Sequence, residues 1–365
     1  MDQKKMKIAF FIGNMGNSGG TERVLSVIAN GLSERGYHVS ILSLKGNGPT
    51  FFPVSESIQI YWLEKEAVRT GIIGRIQSLA AFLNQENIDF LIDVDIILCF
   101  YSLFLKRLRP QMHWISWEHF NFYYHFRKNN LLRSIARRLV AGFSEHLIVL
   151  SEEDKGYYRK NLNLKCGISR IYNPNPYEGV QHGQTWEPII LAAGRLTKVK
   201  GFDLLIRSWQ LIESKYPKWK VLVAGEGIDR KKLEKEIRAA GLTNFYLVGN
   251  VARIEEYYEK AEIFVLPSRD EGFGMVLLEA MAFSVPVVSY SCKAGPKEIV
   301  IDGENGFLIP PGEVELFARK IEELILDETS RREMGKRAKE STKRFEKERI
   351  LDEWESLLRG MAKQT

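Results

Sequence analysis

The chain has 365 residues, is 45% hydrophobic and 27% charged, and carries a formal net charge of +6. Its length is about twice that of a typical domain and predicts two domains of similar size, each able to bury a core. The composition has no biased tract and is that of a soluble globular protein. The mild positive charge fits an anionic partner such as a nucleotide, a diphosphate lipid or a membrane surface, while the scattered Cys99, Cys166 and Cys292 support neither a disulfide framework nor a zinc site.

The first apolar run, 8–12, is too short and wrongly flanked for a signal peptide. No later run reaches the roughly 18 residues needed to span a bilayer, so a cytoplasmic location is expected. Further runs of strand length at 39–44, 58–63, 90–92, 113–117 and 146–150 alternate with helix-period segments. A second series follows at 189–193, 220–224, 245–248, 263–266 and 285–290. Alternation of this kind predicts βα units around parallel sheets. Between the two series lies Tyr172-Asn-Pro-Asn-Pro-Tyr-Glu-Gly179 and then the polar 181–184, which reads as a linker. The expected domains are therefore 1–178 and 186–349, joined at about 177–187. Residues 350–365 carry helix spacing in Leu351, Trp354, Leu357 and Leu358 and are expected to pack back on the first domain.

In parallel α/β sheets ligands sit beyond the carboxyl ends of the strands, so the loops after each strand hold the chemistry. Gly194-Arg-Leu-Thr-Lys-Val-Lys-Gly201 follows one strand and precedes a helix. Arg195 offers a planar fork and Lys200 a point charge, a pairing suited to a diphosphate and to charge growing on a leaving group. The loop lacks P-loop spacing, and basic residues after a strand are also common as plain solvated groups. Pro267-Ser-Arg-Asp-Glu271-Gly-Phe-Gly274-Met-Val-Leu-Leu-Glu279 is richer. Gly272 and Gly274 let the backbone approach a ligand, and the helix that starts near Met275 attracts an anion. Glu271, an acceptor-only carboxylate, suits sugar hydroxyls, and Glu279, one turn into the helix, suits the vicinal hydroxyls of a ribose. The plain readings are a dipole-favoured glutamate at 271 and an exposed helix glutamate at 279.

Glu271–Glu279 forms a Glu-x7-Glu element. It follows Gly194-Arg-Leu and Val223-Ala-Gly-Glu-Gly227, and it precedes Gly295-Pro-Lys-Glu298-Ile and Asp302-Gly-Glu-Asn-Gly306. Near the start, Gly19-Gly-Thr-Glu22 adds a first-domain glycine loop. The set and its order resemble retaining glycosyltransferase family 4 over nearly the whole chain. That resemblance implies the GT-B fold, two Rossmann-like doubly wound domains facing each other across a cleft. It implies transfer of a hexose or N-acetylhexosamine from a nucleotide sugar, UDP-sugar being the family-weighted choice, to a lipid-linked or oligosaccharide acceptor in bacterial surface-glycan assembly. No cofactor or metal is expected.

By the same resemblance, Arg195 and Lys200 hold the donor diphosphate. Glu271 with the backbone of Gly272, Phe273 and Gly274 binds the sugar and phosphate, and Glu279 binds ribose. The turn at Val251 clasps the base, and Gly19 and Gly20 close over the phosphates. His119, in Trp117-Glu118-His119, resembles the active-site histidine that contacts the sugar or leaving phosphate; it is not assigned as a general base. A sugar-nucleotide epimerase or hydrolase, and a non-catalytic nucleotide-binding subunit, are the alternatives of similar architecture.

Two motifs read as decoys. Asp93-Val-Asp95 spells a metal motif of a different glycosyltransferase fold, but it lies away from the cationic donor loops; Asp93 is left as an acceptor contact. Gly16-Asn-Ser18-Gly-Gly20 matches a hydrolase nucleophile elbow, yet no upstream strand exists to supply its oxyanion donor. The stretch 101–140 holds eight Lys and Arg against only Glu118, with nine aromatics. Arg133 and Arg137 share a helix face there, either as a solvated surface or as one that meets an anionic membrane near the acceptor. No nucleic-acid-binding motif accompanies the charge.

Overall fold

The computed structural model describes residues 6–66, 71–123, 130–180 and 187–363. Residues 181–184 of the expected linker, and Arg127 and Lys128 of the basic stretch, lie outside that set. The chain divides into two compact units, Met1–Pro176 with Lys347–Thr365, and Tyr177–Glu346.

The first unit runs β1 (Lys7–Ile12), α1 (Gly20–Glu34), β2 (His38–Ser43), β3 (Gln59–Trp62), α2 (Leu63–Glu66), α3 (Ile72–Gln85), β4 (Phe90–Asp93), α4 (Cys99–Leu108), β5 (His113–Trp117), α5 (Asn130–Phe143), β6 (His146–Val149), α6 (Glu152–Asn161) and β7 (Gly167–Arg170). Its seven strands are parallel in the order β3-β2-β1-β4-β5-β6-β7. Neighbouring residues of β1 point to opposite faces, as a pleated strand requires. Phe11 meets Tyr101 of α4 at a ring separation of 5.7 Å, and Phe10 meets Trp354 of the C-terminal helix Lys347–Ala362 at 6.0 Å. The C-terminal helix is fixed by apolar contact and by charge. A Cβ on Gly31 of α1 would strike Leu351, and Arg35 bonds Glu348, Asp352 and Glu355 at 2.6 to 2.8 Å.

The second unit runs β8 (Ile189–Ala193), α7 (Phe202–Gln210), β9 (Lys220–Ala224), α8 (Arg230–Ala239), β10 (Phe245–Gly249), α9 (Glu255–Lys260), β11 (Ile263–Leu266), α10 (Met275–Ala282), β12 (Val287–Tyr290), α11 (Pro296–Ile299), β13 (Gly306–Ile309), α12 (Val314–Leu326) and α13 (Glu328–Ser341). The six parallel strands are ordered β10-β9-β8-β11-β12-β13. Central strands β8 and β11 are buried at every residue, which is why they read in sequence as unbroken apolar runs rather than alternating ones. Two strands that the apolar pattern does not single out, β7 and β13, are short and sit at the sheet edges.

Candidate functional site

The strand order of the second unit reverses between β8 and its neighbour β11. The loops 194–201 and 267–274 leave these two strands, so both flank the crevice that a doubly wound sheet offers to a ligand. Their mutual fit depends on close backbone approach. Gly201 adopts φ 69, and a Cβ there would collide with the carbonyl oxygen of Pro267. The Arg269 backbone N–H donates to the Val199 carbonyl at 2.8 Å. Its guanidinium donates to the Lys198 carbonyl at 2.8 Å and forks onto the two Asp203 oxygens at 2.7 and 2.6 Å. Burial works against an ionised Asp203, but the Arg269 fork outweighs it and holds the carboxyl below its ordinary range. Arg269 and Asp203 thus tie the two loops together, a role their sequence positions do not announce.

Within this frame Lys200 Nζ lies 2.6 Å from Glu271 Oε1, and the Ser268 hydroxyl donates to the same oxygen at 2.6 Å. Ser268 is buried and its carbonyl accepts from the Cys292 thiol at 3.0 Å. Burial pushes that thiol well above its usual range, so Cys292 is a neutral support and not a nucleophile. Glu271 is only 8% exposed, whereas Arg195 is exposed on the same rim. Gly274 takes φ 98 as the residue before α10, and Phe273 is buried against Phe345 at 5.8 Å. Glu279 is also buried, at 5% exposure, and accepts from the Tyr258 hydroxyl at 2.9 Å. The reading of Glu279 as an exposed helix glutamate therefore fails: a carboxylate is kept in an apolar helix because Tyr258 fixes it.

The remaining rim is backbone. Leu196 N–H donates to the Glu226 carbonyl at 2.9 Å, and Asp229 N–H donates to the Leu196 carbonyl at 3.1 Å. Gly225 N–H donates to the Gly249 carbonyl at 2.8 Å, bringing the turn that holds Val251 beside the loop 225–229. Arg195, Lys200, Val251 and the segment 271–274 therefore lie on loops at the carboxyl edge of this sheet, and Glu279 sits within α10, which leaves that edge.

In the first unit His119 leaves the end of β5. Its ring lies 4.3 Å from that of Trp117, it is 8% exposed, and its Nε2 is buried with no hydrogen-bond partner among the described residues. Burial drives its pKa down to about 3, so the imidazole is neutral at physiological pH. Such a group is a poor base and a suitable hydrogen-bond donor or acceptor. Gly19 caps α1, and a Cβ on it would meet Glu22 Oε2 at 2.5 Å, so the Glu22 carboxylate already occupies the amino end of that helix.

Three acceptor-side expectations are corrected. Asp93 is fully buried: Ser102 Oγ donates to Oδ1 at 2.5 Å and Trp114 Nε1 to Oδ2 at 2.8 Å. Both oxygens are spent inside the fold, so Asp93 cannot reach an acceptor. Arg133 and Arg137, 4% and 5% exposed, form neither a solvated face nor a membrane surface. Arg133 bonds Asp95 at 2.7 and 2.9 Å and Glu118 at 3.2 and 3.4 Å. Arg137 donates to the Asn121 carbonyl at 3.2 Å. Glu118 further accepts from the Tyr158 hydroxyl and the Phe120 N–H, and Asp154 accepts from the Phe122 N–H at 2.7 Å. Burial raises the Glu118 and Asp95 carboxyls while Arg133 pulls them back down. The effect of this cluster is to hold the segment 118–123, and with it His119.

Comparison with known proteins bears on the family and the fold. Residues 18–175 match the family model described as Glycosyltransferase Family 4, and residues 180–341 match Glycosyl transferases group 1. An uncharacterized glycosyltransferase of Haemophilus influenzae is 33% identical over 359 residues, covering 96% of this chain and 99% of that one. The amylovoran biosynthesis glycosyltransferase of Erwinia amylovora is 26% identical, with 96% and 99% covered. A Campylobacter jejuni α-1,4-N-acetyl-D-galactosaminyltransferase, named for a GalNAc-extended diNAcBac-PP-undecaprenol, is 28% identical, with 97% and 98% covered. Among solved structures, Staphylococcus aureus TarM in a complex that includes UDP superposes with a TM-score of 0.83 at 16% identity, over 96% and 99% of the two chains. Anabaena HepE with UDP gives 0.77 at 19% identity, over 97% and 100%.

Two doubly wound parallel-sheet units with paired loops at the switch point define the GT-B class of fold. The chain belongs to the family 4 glycosyltransferases and is an enzyme of glycosyl transfer.

Proposed function

We propose that this enzyme moves a hexose or N-acetylhexosamine, with retention, from a UDP-sugar to a lipid-linked or glycan acceptor in bacterial surface-polysaccharide assembly. The observation that carries the reading is the 2.6 Å contact between Lys200 and Glu271, which joins the two loops that flank the β8–β11 crevice. Each partner is matched to one part of a nucleotide sugar. A donor diphosphate takes over the Lys200 ammonium, with Arg195 beside it, and sugar hydroxyls donate to Glu271. Glu279, steadied by Tyr258, accepts from the ribose. The choice of UDP is supported by the two structural neighbours that hold it, and the lipid-linked acceptor by the Campylobacter relative's name.

In this mechanism the bond from the anomeric carbon to the diphosphate oxygen breaks while the acceptor hydroxyl approaches on the same face. The departing phosphate oxygen takes the hydroxyl proton, so no protein base is required. Lys200 and Arg195 stabilise the charge left on the diphosphate, which removes the need for a metal ion. His119 is neutral and hydrogen-bonds the sugar or the leaving group.

The test is turnover with a panel of UDP-, GDP- and ADP-sugars and lipid-linked acceptors, with and without EDTA. UDP-sugar transfer that keeps the anomeric configuration and ignores EDTA supports the reading. Product from donor alone would make it an epimerase or hydrolase, inversion would remove the mechanism, and EDTA loss restored by Mg²⁺ would remove metal independence.

A further inference from the structure

The last helix of the chain, Lys347–Ala362, reaches by a run of packed rings to His119. Trp354 on that helix is fully buried and meets two rings of the first sheet: Phe10 of β1 at 6.0 Å, and Trp117, the last residue of β5, at 4.9 Å. Phe10 and Trp117 lie 6.4 Å apart, so the three rings close a triangle over β4, the strand between β1 and β5. Trp117 passes the contact on, its ring 4.3 Å from that of His119.

Two observations separate this run from ordinary core packing. A buried indole N–H is usually hydrogen-bonded. Trp114, on the same strand and the opposite face, follows that rule and donates to Asp93 at 2.8 Å. Trp117 and Trp354 do not: each keeps Nε1 buried with no hydrogen-bond partner among the described residues. An aliphatic side chain would avoid the cost of an orphan donor, so what tryptophan brings to both positions is its large rigid plane.

The imidazole needs such a wall. The brace of Arg137, Glu118 and Asp154 holds the chain after His119 through the Phe120 N–H, the Asn121 carbonyl and the Phe122 N–H, and none of these bonds reaches the imidazole. No partner of Nε2 among the described residues sets the ring's direction, so contact with Trp117 orients it.

We propose that Trp354 is a positioning residue for glycosyl transfer: it wedges Trp117 against His119 and so aims the imidazole at the sugar or leaving phosphate. This rests on the role of His119 put forward above. Trp354 touches no reacting atom; it acts through Trp117. The C-terminal helix is then part of the transfer machinery as well as a cover for the sheet. A plain core role makes a different demand, that every buried residue of this helix matter alike. Leu351, also fully buried, faces Gly31 of α1, and Leu351→Ala loosens the same helix without removing a ring.

The test is NMR of the full chain with ring-¹³C histidine, the His119 signal being assigned by its loss in His119→Asn, together with steady-state kinetics on a UDP-sugar and lipid-linked acceptor that the wild type turns over. Indole ring currents displace the signals of nuclei packed against them, so the shift reads the Trp117–His119 geometry directly. In Trp354→Leu, or in the bulkier Trp354→Met if the first variant does not fold, the His119 signal should move. There kcat should fall about tenfold or more with donor KM within about twofold of wild type, the pattern of a misplaced transition-state contact. Trp354→Phe keeps an aromatic wedge and should restore most of kcat and of the original shift. Leu351→Ala should melt earlier yet keep the wild-type signal and kcat when assayed below its melting temperature. An unmoved His119 signal in Trp354→Leu, or a Leu351→Ala variant as slow as Trp354→Leu, would overturn the proposal. Normal kcat in His119→Asn would instead remove His119 from the transfer, and the role of Trp354 with it.

Discussion

The two units each hold a cation–carboxylate contact near the carboxyl edge of a sheet, and the two contacts are built for opposite purposes. Lys200–Glu271 joins two loops, its lysine is 26% exposed, and the Ser268 hydroxyl shares the carboxylate oxygen. Arg133–Glu118 is nearly dry, with side-chain exposures of 5% and 0%, and is cross-linked to Asp95, Tyr158 and the backbone of Phe120. An ion pair at a partly open site exchanges its partner for a ligand at modest desolvation cost. A buried one cannot be opened without stranding a charge. Similar residue types thus give a partly open pair, proposed above to bind the donor, in one unit and a brace in the other.

Removing one member of each pair should separate them. Arg133→Ala leaves the buried Glu118 and the half-buried Asp95 without the Arg133 counter-charge and is expected to cost about 3–5 kcal/mol of stability. Urea denaturation should show it, and a midpoint near that of the wild type would mean that the brace is not structural. Lys200→Ala is expected to slow transfer by about 100-fold, at the lower end of the roughly 10²–10³ cost of losing a charge-stabilising donor. Its melting temperature should stay close to wild type; turnover within a few-fold of normal would remove Lys200 from the mechanism.

Asp93 sharpens the contrast through pH. Burial lifts its pKa to about 7, against the hydrogen bonds from Ser102 and Trp114. Between about pH 4 and 7 the native state then holds a proton that the unfolded chain has released. This contribution to stability therefore falls as pH rises through that window and levels off above it, with a slope approaching 1.4 kcal/mol per pH unit, on the order of one proton. Asp93→Asn should flatten the dependence in melts at pH 5, 6, 7 and 8 while leaving transfer intact; an unchanged slope would contradict the assignment. The smallest expected effect is at the strap between the loops 194–201 and 267–274. Arg269→Lys keeps the charge but loses the planar fork, and a roughly fivefold rise in donor KM is expected, with little change in melting temperature. An unchanged KM would show that the loops hold their positions without Arg269.

The two loops that flank the β8–β11 crevice stand out in sequence because their residues are local. Arg195 and Lys200 lie within one loop, and Glu271, Gly274 and Glu279 within one turn and helix start. The central strands were legible because burial on both faces makes them continuous apolar runs. What escaped depends on contacts between distant positions. Arg133 finds Asp95 from 38 residues away, and Arg269 finds Asp203 from 66. In sequence Arg133 looks like part of a basic helix face, and Asp203 like an ordinary acid in a first helical turn. Strands β7 and β13 escaped because Gly-Ile-Ser-Arg and Gly-Phe-Leu-Ile each offer only four residues opening on glycine. The one available hint of the brace was an unexplained acid, Glu118, amid eight cations, and sequence alone does not say which cation meets it.

The central claim is that a donor diphosphate replaces Glu271 as the partner of Lys200. Calorimetric titration of UDP into the wild type and into Lys200→Ala tests it most directly. UDP should bind the wild type saturably and the variant at least tenfold more weakly, with both proteins equally folded. Equal affinity in the two proteins, or no binding of UDP or of any other nucleoside diphosphate to the wild type, would contradict it.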